Sequence, residues 1–196
     1  MYRSLTNIAV SRSGMDTIMS PYSYEYSLNR TIYLFGQIDD GAVMFAISQI
    51  RTLDSIAKED ITLIINSPGG SVTAGKALID AMDAAASDIK TECFGLAASM
   101  AAVILSCGTK GKRVIHPHAE VMIHQPLAGI EGQASDISIM CDHLTRTKDE
   151  LIGILAERTG QSPSVLRADT DRDNWLDAKK AVAYGICDKI SGGSSL

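Results

Sequence analysis

The sequence has few of the features that would bring a protein to nucleic acid or into a membrane. Its 196 residues include 18 Lys and Arg against 23 Asp and Glu, and the basic residues form no dense block. A chain with a formal net charge of −5 lacks the basic face that binds a phosphate backbone, so we expect no nucleic-acid partner. The apolar stretch 94–105 is too short to cross a bilayer, and no signal-peptide pattern opens the chain. These absences predict a soluble, cytoplasmic protein that has no membrane contact.

Cysteine is scarce and is not arranged for metal binding or cross-linking. The four cysteines are widely separated and form no Cys-x-x-Cys pair: Cys93, Cys107, Cys141 and Cys187. This spacing predicts neither a zinc site nor a disulfide framework, and reduced thiols fit a cytosol. His116 and His118 flank Pro117, which favours a turn, because no carboxylate or cysteine stands at ligand spacing beside them. We therefore expect no metal and no cofactor.

The composition present is that of a single globular domain. Hydrophobic residues make up 45% of the chain and charged residues 21%, which allows one domain with a sizeable core. Apolar runs typical of strands alternate with segments of helical spacing. This alternation predicts an α/β fold with βαβ crossovers and a mainly parallel sheet. Strands are expected at 31–36, 61–65, 89–96, 113–116, 120–124 and 186–190.

The two ends of the chain and one long helix differ from this pattern. Residues 1–29 have little apolar periodicity, and their alternating tyrosines predict a mobile segment that ends in a weak strand. Residues 30–190 form the expected domain, and 191–196 a flexible tail. The spacing predicts a helix over 133–158 whose long polar side suggests that it extends beyond the globule toward a partner chain.

Three loops are expected to meet at the carboxyl edge of the parallel sheet, where ligands usually bind. They carry the Pro68-Gly69-Gly70 turn, Ser99 and His124. Local sequence alone favours Ser99 as a helix N-cap, and His124 as a structural residue that ends an apolar strand. Together, however, a serine, an imidazole and free backbone N–H groups are the components of acyl transfer.

A histidine that acts as a general base needs a carboxylate to orient it. Asp169, Asp171 and Asp173 are all available in one connecting segment, and the spacing does not choose among them. His143 lies on the polar side of the long helix and is expected in solvent. The residues alone thus predict a Ser/His/Asp hydrolase with the aspartate left open.

Five segments in unbroken order resemble the proteolytic subunit of the ATP-dependent Clp protease family (ClpP). They are residues 65–72, 95–102, 108–113, 122–126 and 171–173, and the resemblance covers about 30–190. It implies the ClpP/crotonase-like fold of repeated βαβ units. It also implies a protruding handle over about 125–160, made of the long helix and a strand at 127–133.

The resemblance implies a role for each residue of the site. Ser99 would be the nucleophile, His124 the general base and then acid, and Asp173 the residue that orients the imidazole. The backbone N–H groups of Gly70 and Met100 would form the oxyanion hole. The function implied is a serine endopeptidase subunit that hydrolyses short peptides and unfolded proteins.

The resemblance further implies residues for substrate and subunit contacts. An extended peptide would bind by backbone hydrogen bonds along 129–132, and the substrate-binding residues implied are Gly69, Gln125, Pro126, Leu127 and Gly129. Asp171 and Arg172 correspond to the contact between rings. Two stacked heptameric rings, a tetradecamer, would receive substrates from an AAA+ unfoldase. The unfoldase, not this chain, would use ATP.

Three departures from the family pattern indicate a second, specialised member. Thr62 and Ile64 stand where the family carries aromatic residues that receive the unfoldase, which weakens the expectation of ATPase docking. The family's usual N-terminal opening is missing, and Ala128 replaces a common glycine. A barrel of this chain alone and a barrel mixed with a paralogue both stay open. The alternatives are a structural or partner-dependent subunit and a crotonase-type acyl-CoA enzyme.

Overall fold

Strands and helices alternate along most of the chain, as the sequence pattern predicts. The computed structural model describes residues 7–12 and 15–192, so the predicted tail lies outside the described residues from 193 onward. The elements are β1 (Ile8–Arg12), β2 (Met15–Met19), α1 (Pro21–Leu28), β3 (Thr31–Phe35), α2 (Asp40–Ile56), β4 (Ile61–Ser67), α3 (Val72–Ala84), β5 (Ile89–Ala98), α4 (Met100–Ser106), β6 (Arg113–Ile115), β7 (Glu120–Ile123), α5 (Ala134–Thr159), α6 (Pro163–Asp169), β8 (Asn174–Asp177), α7 (Ala178–Tyr184) and β9 (Lys189–Ile190).

One mainly parallel sheet of seven strands organises the fold. Strands β3, β4, β5, β6 and β9 follow one another in parallel, and β7 pairs in parallel with β5. Only β8 runs antiparallel within this sheet, beside β7. The predicted α/β class with a mainly parallel sheet is therefore confirmed.

Strand β5 changes its neighbour halfway along, and this change directs the chain toward the site. Its first half pairs with β6 at 91–93, and its second half pairs with β7 at 96–98. Between the halves the register with β4 shifts from Ile65↔Cys93 to Ser67↔Ala97, so β5 contains two extra residues there. Gly95 lies in this bulge with φ 72°, a conformation that glycine adopts without strain. The bulge lets the end of β5 run beside β7.

The core lies between the sheet and helices α2 to α5. Ile32, Leu63 and Ile65 point into the core from the strands and are fully buried. Helix α4 is buried along all seven of its residues, which is why its sequence is apolar or small on every side. Burying one such Ile or Leu side chain stabilises the fold by about 1.5–3 kcal/mol, so α4 is held firmly behind the turn that precedes it.

Helix α5 confirms the predicted long helix, and its first half is exposed. Leu151, Ile152 and Leu155 near its end are its buried residues, whereas Ile139 and Met140 remain in solvent. The helix ends at Gly160, which takes the left-handed conformation that the sequence predicts for a C-terminal glycine.

The predicted handle strand at 127–133 is not formed in the single chain, where the segment is irregular. A strand needs a hydrogen-bonded neighbour, and among the described residues none lies alongside this segment.

The prediction for residues 1–29 is wrong in its secondary structure. The tyrosines lie in helix α1, which Ser20 caps and Pro21 begins, and not in a strand. Tyr22 and Tyr26 are four residues apart, so a helix brings both to one side, where Tyr26 packs on the core. The alternation of tyrosines fits a strand equally well and misled the prediction. Strands β1 and β2 form an antiparallel pair before this helix.

Two further differences concern the C-terminal part. Strand β8 was not predicted, since four residues ending in a capping aspartate carry little periodic signal. The final strand covers only Lys189–Ile190, although Ile186 and Cys187 before it are buried. The side chains of Asp177 and Ser162 cap α7 and α6 by accepting hydrogen bonds from backbone N–H groups. None of the helices within 7–12 and 15–192 is long and apolar enough to span a membrane.

Candidate active site

Ser99 occupies a strained turn between β5 and α4. Its backbone has φ 56° and ψ −124°, a positive φ that non-glycine residues rarely adopt and that costs on the order of 1–3 kcal/mol. Its side chain makes no capping hydrogen bond, so the capping role favoured by local sequence is wrong. Instead, the Ser99 N–H donates to the Met122 carbonyl at 2.8 Å, which ties the turn to β7.

The glycine turn packs directly against Ser99 and leaves no room for side chains. A Cβ on Gly69 would lie 2.7 Å from the Ser99 Cβ and 2.6 Å from the Ala98 carbonyl oxygen. A Cβ on Gly70 would lie 2.2 Å from the Ile38 carbonyl oxygen. Both residues also have positive φ, 92° and 152°. Glycine at both positions allows the two loops to approach within backbone contact distance.

His124 follows β7, whose pairing with β5 brings it beside Ser99. Its Nε2 lies 2.8 Å from the Ser99 Oγ, and its Nδ1 lies 2.9 Å from Asp173 Oδ1. The imidazole is largely buried, with 15% of its side chain exposed. With Nδ1–H donating to the carboxylate, Nε2 is free to accept the serine proton.

The three aspartates that the sequence leaves open have different partners in the structure. Asp173 contacts His124, whereas Asp169 accepts a hydrogen bond from the Tyr184 hydroxyl at 2.8 Å. Burial raises the pKa of the Tyr184 phenol, and the hydrogen bond to Asp169 adds to the effect. Asp171 lies near Gln125 and makes no contact with the imidazole. The pairing of Ile123 with Asn174 explains this selection, because it brings the residue before Asn174 to the one after Ile123.

Two backbone N–H groups next to Ser99 are without a protein acceptor among the described residues. Met100 is the first residue of α4, where an N–H has no intrahelical partner. The Gly70 N–H is likewise unpaired, while its neighbours Gly69 and Ser71 bond to Ile38. A Cβ built on Gly69 would be 3.0 Å from the Met100 nitrogen, so the two loops converge here. Such N–H groups can stabilise an oxyanion.

Two neighbouring clefts, both lined by Val72 and Pro126, include several of the residues expected to bind substrate, and the first of them is also lined by Ser99 and His124. The first lies between the turn and α5, and its walls are mainly apolar: Val72, Met100, Val103, Pro126, Leu151, Ile152 and Leu155. Gln125 and Lys148 lie at its polar side. The second is bounded by the glycine turn and the exposed segment after His124, including Pro126, Leu127 and Ile130.

The structure does not bring every expected residue to these clefts. Gly69 packs against the turn that carries Ser99, and Gly129 is exposed. Neither residue lines one of the two clefts described above. Asp171 and Arg172 lie on the surface of the single chain, and 90% of the Arg172 side chain is exposed.

Cysteine does not compete with Ser99 as a nucleophile at this site. Burial raises the pKa of Cys93 to about 12 and that of Cys107 to about 11, and it also raises the pKa of Cys187. These thiols therefore stay protonated at neutral pH. Within the described part of the chain, no three His, Cys, Asp or Glu side chains are grouped to hold a metal ion. His116 instead pairs with Glu92 at 2.8 Å and stacks on Phe94.

Sequence reasoning missed Lys148, whose ammonium donates to the Gln125 side-chain oxygen at 2.8 Å. A lysine on an exposed helix carries no local signal for such a contact, because the contact depends on how α5, which packs beside α4 and α6, aligns with the segment after β7. Strand β8, which aligns Asp173 with His124, was also missed, so the residues alone left three aspartates open and only the family resemblance implied Asp173.

A serine, a histidine and an aspartate hydrogen-bonded in series beside free backbone N–H groups have the geometry of a serine hydrolase site on an α/β fold. The model of the Clp protease family matches residues 16–193 of the 196. The chain therefore belongs to the Clp protease family. Members of this family are typically serine peptidases, and they generally form oligomeric barrels with AAA+ partners.

Proposed function

We propose that this chain is a serine endopeptidase subunit of a Clp-type protease that acts through Ser99, His124 and Asp173. The observation that carries the proposal is the hydrogen-bonded series, 2.8 Å from Ser99 Oγ to His124 Nε2 and 2.9 Å from His124 Nδ1 to Asp173 Oδ1. These are distances at which protons move between oxygen and nitrogen without rearrangement of the side chains.

The first half of the reaction forms an acyl-enzyme. Ser99 Oγ attacks the carbonyl carbon of the scissile peptide bond while His124 Nε2 takes its proton. The negative charge that develops on the carbonyl oxygen is stabilised by the N–H groups of Gly70 and Met100, and each such donor contributes about 3 kcal/mol. The C–N bond then breaks, and the imidazolium gives its proton to the leaving amine.

The second half returns the enzyme to its starting state. A water molecule attacks the ester carbonyl and gives a proton to His124 Nε2, and the ester C–O bond breaks. The Ser99 oxygen takes the proton back from the imidazolium, which releases a peptide with a free carboxylate. Asp173 holds the Nδ1–H throughout and stabilises the imidazolium that forms twice in each turnover.

The substrate proposed is an extended peptide. The segment from Pro126 to Glu131 is irregular and largely exposed, and its backbone groups make no backbone hydrogen bond to another described residue, so they are available to pair with an added strand. The apolar cleft beside Ser99 would hold one substrate side chain. Recognition mainly through the backbone predicts broad cleavage of short peptides and of unfolded proteins. Gly129 would act here through its backbone alone.

The assembly proposed is a barrel of two stacked heptameric rings with AAA+ unfoldase partners. The exposed half of α5 supports it, because Ile139 and Met140 are 62% and 47% exposed in the single chain, and Leu127 before it is 82% exposed. Asp171 and Arg172 are proposed for the contact between rings. ATP would be hydrolysed by the unfoldase, and this chain would need no cofactor.

A specialised member that needs a paralogous subunit is the second proposal on assembly. Thr62 and Ile64 lie half-buried on the side of β4 opposite the core, where the aromatic residues expected for unfoldase docking are replaced. A purely structural subunit is less well supported, since all three candidate catalytic residues are present and hydrogen-bonded. We also propose a cytoplasmic location, because the buried cysteines are free thiols.

The proposed function is tested by treating the purified full-length chain with a fluorophosphonate and measuring its intact mass, followed by peptide mapping. We expect one adduct per chain on Ser99, loss of the adduct in Ser99→Ala and its retention in Ser162→Ala. Ser162 is a matched control, because it caps α6 with its hydroxyl and lines neither of the two clefts at the site. Assembly of Ser99→Ala should be unchanged by size-exclusion chromatography, since only one oxygen is removed.

An adduct elsewhere, or peptide hydrolysis by Ser99→Ala near the wild-type rate, would overturn the assignment of Ser99. An acyl-CoA enzyme would instead turn over a short acyl-CoA and leave peptides intact. If the chain alone is not labelled, mixing it with a paralogous subunit or an unfoldase distinguishes a partner-dependent subunit, which gains the adduct, from a structural one, which does not.

A further inference from the structure

The Asp173 carboxylate is exposed and needs its backbone to be held in place. Its side chain is 60% exposed, and among the described residues its hydrogen-bond partner is His124. An exposed carboxylate with one hydrogen-bond partner is free to rotate away from that partner toward the solvent. The orientation of this group therefore depends on how the segment 170–173 is fixed.

Gln125, the residue after His124, fixes that segment at two successive carbonyl groups. Its backbone N–H donates to the Thr170 carbonyl at 2.7 Å, and its side-chain Nε2 donates to the Asp171 carbonyl at 2.8 Å. Thr170 is itself buried and anchored to Leu166. On the far side of Asp173, Asn174 pairs with Ile123. Asp173 is thus held between two attachments to the strand that carries His124.

Lys148 determines which way the Gln125 amide points. Its ammonium donates to the Gln125 Oε1 at 2.8 Å, one turn before the buried Leu151. An ammonium can only donate, and the Asp171 carbonyl can only accept. With the amide reversed, its oxygen would face the carbonyl oxygen and its NH2 group would face the ammonium. Lys148 and Asp171 together therefore permit one orientation of the amide.

We infer that Lys148 and Gln125 are positioning residues for the site, which hold the segment 170–173 so that Asp173 meets His124 and which tie this alignment to helix α5. The inference rests on the proposed function. It assigns to Gln125 a role within the protein, although the resemblance implied a contact with substrate.

The test compares peptide hydrolysis by Lys148→Met, Lys148→Arg and Gln125→Glu in the fraction with the oligomeric size of the wild type. In Lys148→Met and Gln125→Glu we expect kcat to fall about 10- to 100-fold, as for misplacement of a catalytic group by about 1 Å, with KM within about twofold of wild type. Gln125→Glu keeps a partner for Lys148 but removes the donor to the Asp171 carbonyl. Lys148→Arg keeps a donor and should recover most of kcat.

Arg167→Met is the matched control, because Arg167, on α6, pairs with Asp149, the neighbour of Lys148 on α5, without contacting Gln125. It should keep the wild-type kcat. Wild-type kcat in both Lys148→Met and Gln125→Glu would overturn the inference, as would a rise in KM at constant kcat, which indicates substrate binding instead. If Lys148→Met does not fold, Gln125→Glu decides alone. A wild-type chain that hydrolyses no peptide in any assembly would overturn the proposed function itself, so the two failures are distinguishable.

Discussion

Replacing Gly69 by alanine adds a single methyl group and should abolish nearly all reactivity of Ser99. The new Cβ would lie 2.6 Å from the Ala98 carbonyl oxygen, 2.7 Å from the Ser99 Cβ and 3.0 Å from the Met100 nitrogen. All three atoms belong to the turn that carries the nucleophile, and two of them are backbone atoms. No flexible side chain can move aside, so the turn itself must shift.

The destabilisation expected in Gly69→Ala has two parts, backbone strain and steric overlap with the Ser99 turn. Comparison with Gly111→Ala separates them, because that variant has the strain without the overlap. Gly69 has φ 92° and Gly111 φ 85°, so alanine at either position incurs a similar backbone strain of about 1–2 kcal/mol. A Cβ on Gly111 meets nothing within 4 Å, whereas one on Gly69 also overpacks a tight contact, which costs about 1–3 kcal/mol more. Displacing Ser99 by about 1 Å should lower the rate of acylation about 100-fold.

The assay combines urea unfolding with the rate of fluorophosphonate labelling, each for wild type, Gly69→Ala and Gly111→Ala at one protein concentration. We expect Gly111→Ala to lose a little stability and keep its labelling rate, and Gly69→Ala to lose more stability and nearly all labelling. Labelling of Gly69→Ala at the rate of Gly111→Ala would refute the reasoning, because it would mean that the contact between the two loops does not hold Ser99.

The remaining predictions concern carboxylates. Asp173→Asn should lower kcat by up to about 10⁴-fold by favouring the wrong tautomer of the imidazole, whereas Asp169→Asn, which alters the bond to Tyr184, should change kcat much less. Arg113→Met should lower the free energy of unfolding by about 3–5 kcal/mol in urea, because it removes the guanidinium from the mostly buried Asp188 carboxylate, which then keeps backbone N–H donors at positions 111 and 113 but has lost its cation. Burial opposes ionisation of Asp188, but hydrogen bonds from Arg113 outweigh it and hold its pKa below the usual value. This stabilisation is present above about pH 4, the ordinary pKa of an aspartate, and is lost as the pH falls below that value. Between pH 6 and pH 3 the free energy of unfolding should therefore fall more in wild type than in Asp188→Asn.

Equal losses in Asp173→Asn and Asp169→Asn would show that the wrong carboxylate has been assigned to the imidazole. A stability of Arg113→Met within about 1 kcal/mol of wild type would show that the pair contributes little, as exposed pairs do. A pH dependence of Asp188→Asn as steep as that of wild type would place the acid sensitivity in other carboxylates.

Most of the elements near the site could be predicted, because their signals are local. The glycine turn, the apolar strand before Ser99 and the strand that ends at His124 all show in short stretches of sequence. The long helix was also predicted, over 133–158, close to its observed bounds Ala134–Thr159. Local signals alone were ambiguous at two places. The tyrosines of α1 fit two periods, and the prediction of a strand there was wrong; the local sequence around Ser99 favoured a simple cap, whereas its combination with His124 and the glycine turn indicated a nucleophile.

By itself, the sequence determined the alternation of strands and helices, the family and the loops that carry the candidate residues, since each depends on neighbours a few positions apart. The spacing of the residues left three aspartates open and the family resemblance implied Asp173, but only the tertiary structure shows which aspartate meets His124. That contact joins residues 49 positions apart and follows from the register of Ile123 with Asn174 in a four-residue strand. The bulge of β5 at Gly95 and the contact of Lys148 with Gln125 were also decided only by the tertiary structure. Hydrogen bonds between distant segments depend on how packed elements align, and no periodicity in the chain records that alignment.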